Sequence, residues 1–130
     1  MEKVTGIGGI FFKVSDAKTL RDWYRDNLGI PIDESFGGAS FEWRDRDDPE
    51  TVGMTLWSPF PSTTKYFDPT NAPFMINYRV DDLDAMLEQL RQAGATVDEK
   101  VDDSEFGRFG WATDPEGNRF ELWQPPKKEA

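Results

Sequence analysis

The chain of 130 residues contains no cysteine and no histidine. Without cysteine there is no disulfide, thiolate nucleophile or zinc–thiolate site. Without histidine the commonest metal ligand, the commonest general base and every Ser-His-Asp triad are excluded. Long apolar runs are missing too. None approaches the roughly 18 residues that a membrane span needs, and the N-terminus has no basic stretch leading into an apolar one. A soluble, cytoplasmic protein is therefore expected. Basic residues are also in the minority, 15 Lys and Arg against 25 Asp and Glu, for a net charge of −10. Such a balance repels phosphate backbones and argues against a nucleic-acid partner.

What is present is aromatic, patterned and of single-domain size. Segment 9–14, Gly-Ile-Phe-Phe-Lys-Val, reads as a strand. Ser15 or Asp16 can cap a helix over 17–27, where Leu20, Trp23, Tyr24 and Leu28 recur at helical spacing until Gly29 stops it. Ile30 and Ile32 begin an extended piece, and alternation predicts strands around Phe41 and Trp43 and over 52–57. Segment 58–73, with Pro59, Pro61, Pro69 and Pro73, reads as a linker. Strand 74–80 follows, then a helix with Leu83, Met86, Leu87 and Leu90 that ends at Gly94. An extended segment starts at Thr96. The last two strands, 106–113 and 119–123, flank the turn Asp114-Pro115-Glu116-Gly117-Asn118. Residues 125–130 read as a polar tail that frays.

The strongest pattern is an internal repeat. Ile10-Phe11-Phe12-Lys13-Val14 matches Ile76-Asn77-Tyr78-Arg79-Val80, Asp48-Pro49-Glu50 matches Asp114-Pro115-Glu116, and Met54-Thr55-Leu56-Trp57 matches Phe120-Glu121-Leu122-Trp123. All three blocks are 66 residues apart. The expected architecture is α+β: one domain over 1–130 made of tandem βαβββ modules at 6–59 and 74–125, joined by a linker at 60–73. Pairing the modules is expected to make an open, curved mixed sheet with a cleft, the kind of concave surface that small ligands favour.

The repeat, the strand-then-Ser/Asp-helix opening and the ending Asp-Pro-Glu-Gly-Asn-Arg-Phe-Glu-Leu-Trp resemble the vicinal oxygen chelate superfamily, which includes glyoxalase I, bleomycin-resistance proteins and extradiol dioxygenases. The resemblance implies a small-molecule ligand and a homodimer. It also implies a metal site with one ligand from the first and one from the last strand of each module. Those positions fall on Gly9, Thr55, Met75 and Glu121, of which only Glu121 carries a suitable ligand. Hard cations and zinc want three or more protein ligands, so no metal cofactor is expected and metal-dependent glyoxalase activity is disfavoured.

Two readings of the site remain. In one, Glu121 is an acid/base of a metal-free lyase- or isomerase-type enzyme; in an apolar pocket its proton affinity would rise. In the other, the protein sequesters a cationic drug without chemistry, as bleomycin-resistance proteins do. Glu121 as a plain structural carboxylate is the competing explanation. Starting from the positions that the resemblance marks, with Thr55 and Met75 among them, strand alternation adds Phe11, Lys13, Trp57, Asn77, Arg79 and Trp123 to the expected ligand surface, with the tryptophans for stacking and Lys13 or Arg79 for an anionic group. Tyr66 and Phe67 are candidates for a lid.

Overall fold

The computed structural model describes residues 1–127, so the end of the expected tail, 128–130, lies outside the described residues. Two compact units result. The first is Gly9–Met75; the second joins Met1–Gly8 to the chain from Ile76 onward. Both boundaries fall inside strands, β1 (Val4–Val14) and β4 (Phe74–Val80).

In the first unit, α1 (Ala17–Leu28) follows β1, and β2 (Ala39–Arg44) and β3 (Val52–Pro61) come next. Asp16, not Ser15, is the cap: its extended backbone lets the carboxylate accept from Thr19 N at 3.1 Å and Thr19 Oγ1 at 2.8 Å. Gly29, at φ 68°, ends the helix in the left-handed region, as its place in the sequence predicts. Strand β3 runs parallel to β1 and antiparallel to β2.

In the second unit, α2 (Leu83–Gln92) follows β4 and is capped by Asp82. Strands β5 (Thr96–Val97), β6 (Asp102–Ser104), β7 (Gly107–Thr113) and β8 (Arg119–Gln124) complete it. Strand β8 pairs parallel with β4 and antiparallel with β7, which also holds β5 and β6. The core lies between α2 and one sheet face, where Val80, Leu83, Met86, Leu87 and Leu122 are buried and Tyr78 and Phe120 pack against them. Each such side chain contributes about 2 kcal/mol of apolar burial. By contrast, α1 has no buried residue, and Trp23 and Leu28 are largely exposed. The β7–β8 turn is closed by Asp114, whose carboxylate accepts from Glu116 N, Asn118 N and Asn118 Nδ2. Those bonds, the Asn118 pair foremost, hold its carboxyl below its ordinary range.

The α+β class with tandem strand–helix–strand units of mixed pairing is as expected. Four local readings are corrected. First, β1 begins at Val4, not at Gly9: Thr5 Oγ1 donates to Arg79 O and Glu2 N to Gln89 Oε1, tying this segment to the second unit. Second, Ile30 and Ile32 make no strand; only the bridge Asp33–Gly38 forms nearby. Third, 58–61 is strand, not linker. The β2 register stops at Trp57, so at Pro59 and Pro61 the missing N–H falls on a side with no β2 partner. Fourth, β6 had no sequence signal, its residues being Asp-Asp-Ser.

Candidate functional site

Strand pairing decides which side chains share a face. In the second unit Asn77 lies opposite Glu121, Arg79 opposite Trp123, Trp111 opposite Glu121 and Phe109 opposite Trp123. These residues occupy the sheet face turned away from the α2 core, since the alternating Tyr78, Val80, Phe120 and Leu122 face that core.

Glu121 is 1 % exposed. Asn77 Nδ2 donates to its Oε1 at 2.6 Å and Trp111 Nε1 to its Oε2 at 2.9 Å. Both oxygens of the buried carboxylate are thus engaged by neutral donors, which offsets part of the cost of burying it. Asn77 is itself buried and its Oδ1 receives no hydrogen bond. That oxygen sits against Gly8, where a Cβ would overlap it. On the other side of the carboxylate, the Arg119 guanidinium lies 5.4 Å from the Trp111 ring centroid and bonds Asp98 at 2.6 Å. Arg79 Nη1 donates to Thr5 Oγ1 at 3.1 Å. Trp123 stacks on Phe109 with centroids 6.3 Å apart and planes at 15°, and its Nε1 donates to Phe106 O.

Of the residues expected to bind ligand, the structure brings Asn77, Arg79, Trp123 and Glu121 onto one face. In the first unit Phe11 and Lys13 share a face, opposite Ser58 and Phe60 of β3. Thr55 and Trp57 do not join them, which corrects the alternation argument. Trp57 packs on Phe12 at 5.4 Å and on Tyr24 of α1 at 5.1 Å, so it faces the helix side. Thr55, two residues away on that same face, accepts from Trp43 Nε1 at 2.9 Å. The 66-residue register holds for the first strands but not for the last: Phe11 pairs with Ser58, whereas Asn77 pairs with Glu121. The counterpart of Glu121 is therefore Ser58, and that of Trp57 is Phe120, which meets Tyr78 as Trp57 meets Phe12. An odd slip of three residues moves every side chain to the other face. Met75 is fully buried.

Trp111, Phe109, Gly8 and Phe60 were not singled out by the sequence. Their alternation marks them as strand residues, but only cross-strand register puts them beside Glu121 or Phe11.

The donor set does not fit the superfamily's metal. Glycine offers no donor at position 9, Met75 is a buried thioether, and the partner of Glu121 in the other module is a serine. No group of three or more Asp, Glu, His or Cys able to hold a metal ion occurs among the described residues. No helix among them is long and apolar enough to cross a membrane.

A family model described as a glyoxalase-like domain matches residues 9–123. No curated protein matches the sequence significantly. Solved structures do match in fold. The methylmalonyl-CoA epimerase of Mycobacterium tuberculosis is 23% identical over 95% of this chain and 90% of its own, with a TM-score of 0.58. The Streptomyces coelicolor methylmalonyl-CoA epimerase, solved with 2-nitronate-propionyl-CoA, is 19% identical over 96% and 100%, with a TM-score of 0.66. A chain described as an NAD-dependent benzaldehyde dehydrogenase from Legionella pneumophila is 12% identical over 91% and 98%, with a TM-score of 0.58. Names this varied on one fold leave function to the site.

Proposed function

This chain belongs to the glyoxalase-like family of the vicinal oxygen chelate superfamily, and from that premise we propose that it binds a small planar organic molecule on the face carrying Glu121, without a resident metal. The observation that supports the reading is the state of the one retained metal-type ligand. Each oxygen of Glu121 accepts a hydrogen bond from a buried side chain, so a metal would have to compete for it and would find no second strong donor at the matched positions. Beside the carboxylate, the parallel Phe109 and Trp123 rings offer a stacking surface. The net charge of −10 favours a cationic ligand, in keeping with a sequestering role of the bleomycin-resistance kind.

The test is titration with planar cationic drugs, followed by tryptophan fluorescence with and without chelator, beside calorimetry with Zn²⁺, Ni²⁺ and Mn²⁺. Saturable quenching that ignores the chelator and weakens in Trp123→Leu is expected. Stoichiometric metal binding that disappears in Glu121→Ala would overturn the reading. A second reading, a metal-free isomerase, draws on the burial of Glu121 beside the Trp111 indole and on neighbours that are epimerases. It requires turnover of an acyl-CoA substrate that is lost in Glu121→Gln. The homodimer implied by the family is part of the proposal, and sedimentation as a monomer removes it.

A further inference from the structure

In the first unit, β2 pairs with β3 and with no other strand among the described residues. Which of its backbone groups stay unpaired follows from the ladder. Asp45 N donates to Thr51 O at 3.0 Å, in the register that sets Trp43 opposite Gly53 and Phe41 opposite Thr55. Antiparallel pairs alternate between hydrogen-bonded and non-bonded ones. Phe41 and Trp43 therefore direct their N–H and C=O at β3, and those of Ser40, Glu42 and Arg44 point away from it. At Gly38, earlier on that outward side, the carbonyl accepts from Asp33 N at 2.7 Å. The open edge runs from Ser40 to Arg44.

This edge carries two opposite charges that nothing in the chain neutralises. Glu42 lies across from Met54 and Arg44 from Val52, and all four are exposed. Neither Glu42 nor Arg44 enters an ion pair among the described residues. Arg44 gives Nη1 to Pro49 O at 2.8 Å, and the rest of its guanidinium fork still has N–H groups to offer. Trp43 is turned inward: its ring lies against Gly53 and its Nε1 donates to Thr55 Oγ1. An unpaired edge is a template for another strand, commonly blunted by proline, a bulge or like charges. β2 has no proline and no bulge, and its charges are of opposite sign.

We propose that a second copy of the chain pairs here, β2 antiparallel to β2 about a two-fold axis at Trp43; the inference rests on the homodimer reading above and names its surface. In this register Glu42 of each copy forms a hydrogen-bonded pair with Arg44 of the other, outward backbone to outward backbone, and their side chains meet as opposite charges. The other registers that match backbone groups do worse. Centring on Glu42 or on Arg44 sets like charges against each other. Centring on Phe41 sets Arg44 against Gly38, whose carbonyl is already taken. The charges thus choose the register, and the two-fold closes the assembly at a dimer.

Sedimentation velocity on the full chain, over a concentration series, tests this. The wild type is expected to be a dimer that loosens as salt rises. Glu42→Arg and Arg44→Glu each place like charges opposite one another at both pairs and weaken the dimer roughly tenfold or more. Mixed in equal amounts, the two variants recover a dimer, because one presents two cations to the two anions of the other. A wild type that sediments as a monomer overturns the homodimer and this surface together. A wild-type dimer indifferent to both substitutions keeps the homodimer and overturns the β2 edge. Weakened variants that do not recover on mixing overturn the register. Both positions are exposed, so the variants keep their fold, as thermal melts verify. Glu42→Arg also leaves the Arg44–Pro49 contact in place, so its loss of the dimer is not a loss of the turn.

Discussion

Asn77 and Glu121 face each other across the parallel β4–β8 pair, amide to carboxylate at 2.6 Å. This contact orients the amide, because only its nitrogen can donate to an ionised carboxylate. It also leaves Asn77 Oδ1 without a donor and facing Gly8.

Removing the carboxylate leaves two buried donors, the Asn77 amide and the Trp111 indole, without this acceptor. Glu121→Ala is expected to cost about 3 kcal/mol and Glu121→Gln about 1 kcal/mol, since an uncompensated buried polar group costs more than a substituted one. Urea denaturation checks both. Equal costs would place the effect in packing volume and not in hydrogen bonding.

Gly8 is required by the position of Asn77. A methyl there would overlap Asn77 Oδ1 and crowd Trp123 Cε3 at 3.0 Å. Gly8→Ala is expected to destabilise by about 1–3 kcal/mol through overpacking. A chemical shift change at the Trp123 and Trp111 indole N–H signals should accompany it; unchanged indole signals would contradict the placement.

The two helices are anchored unequally. Leu87→Ala removes a side chain 2 % exposed and is expected to cost about 2–4 kcal/mol, whereas Leu28→Ala, at a position 62 % exposed, should stay within about 0.5 kcal/mol. Comparable losses at both sites would show that α1 is buried in solution.

Asp114 gives a pH dependence of definite sign. Its carboxyl is held below its ordinary range chiefly by the Asn118 backbone and side-chain N–H groups. A depressed folded value means that the group adds stability above its unfolded value, near pH 4, and loses it as the pH falls through the folded value. Thermal melts from pH 5 to pH 2.5 should show a shallower loss of stability in Asp114→Asn than in the wild type. Identical slopes would mean that the turn does not bind its proton differently in the folded chain.

Much of the fold was written in local signals. Asp16 and Gly29 bound α1 because a short acceptor side chain and a residue without Cβ suit those two positions. The spacing of Leu83, Met86 and Leu87 predicts the buried stripe of α2. Where local chemistry was misleading, pairing prevailed: Pro59 and Pro61 read as breakers but lie in β3, and the first strand, read from Gly9, already starts at Val4.

The candidate site was legible in part. Asn77, Arg79, Glu121 and Trp123 share a face as alternation predicted, because within one unit the period of two is reliable. Thr55 and Trp57 were misplaced because the repeated Leu-Trp ending is a likeness of letters, while the strand slid three residues to set Trp57 beneath Tyr24.

By itself, the sequence determined the helices, where they stop, the hairpin turn, the duplicated layout and the absence of any histidine or cysteine for a metal, all properties of residue type and short spacing. Only the tertiary structure decided that Glu121 is buried between Asn77 and Trp111 and that Ser58, not Thr55, answers to it. The physical reason is that a side chain's neighbours across a sheet depend on register. Register is set by how rings and leucines pack against helices, between segments as far apart as the 44 residues separating Asn77 from Glu121.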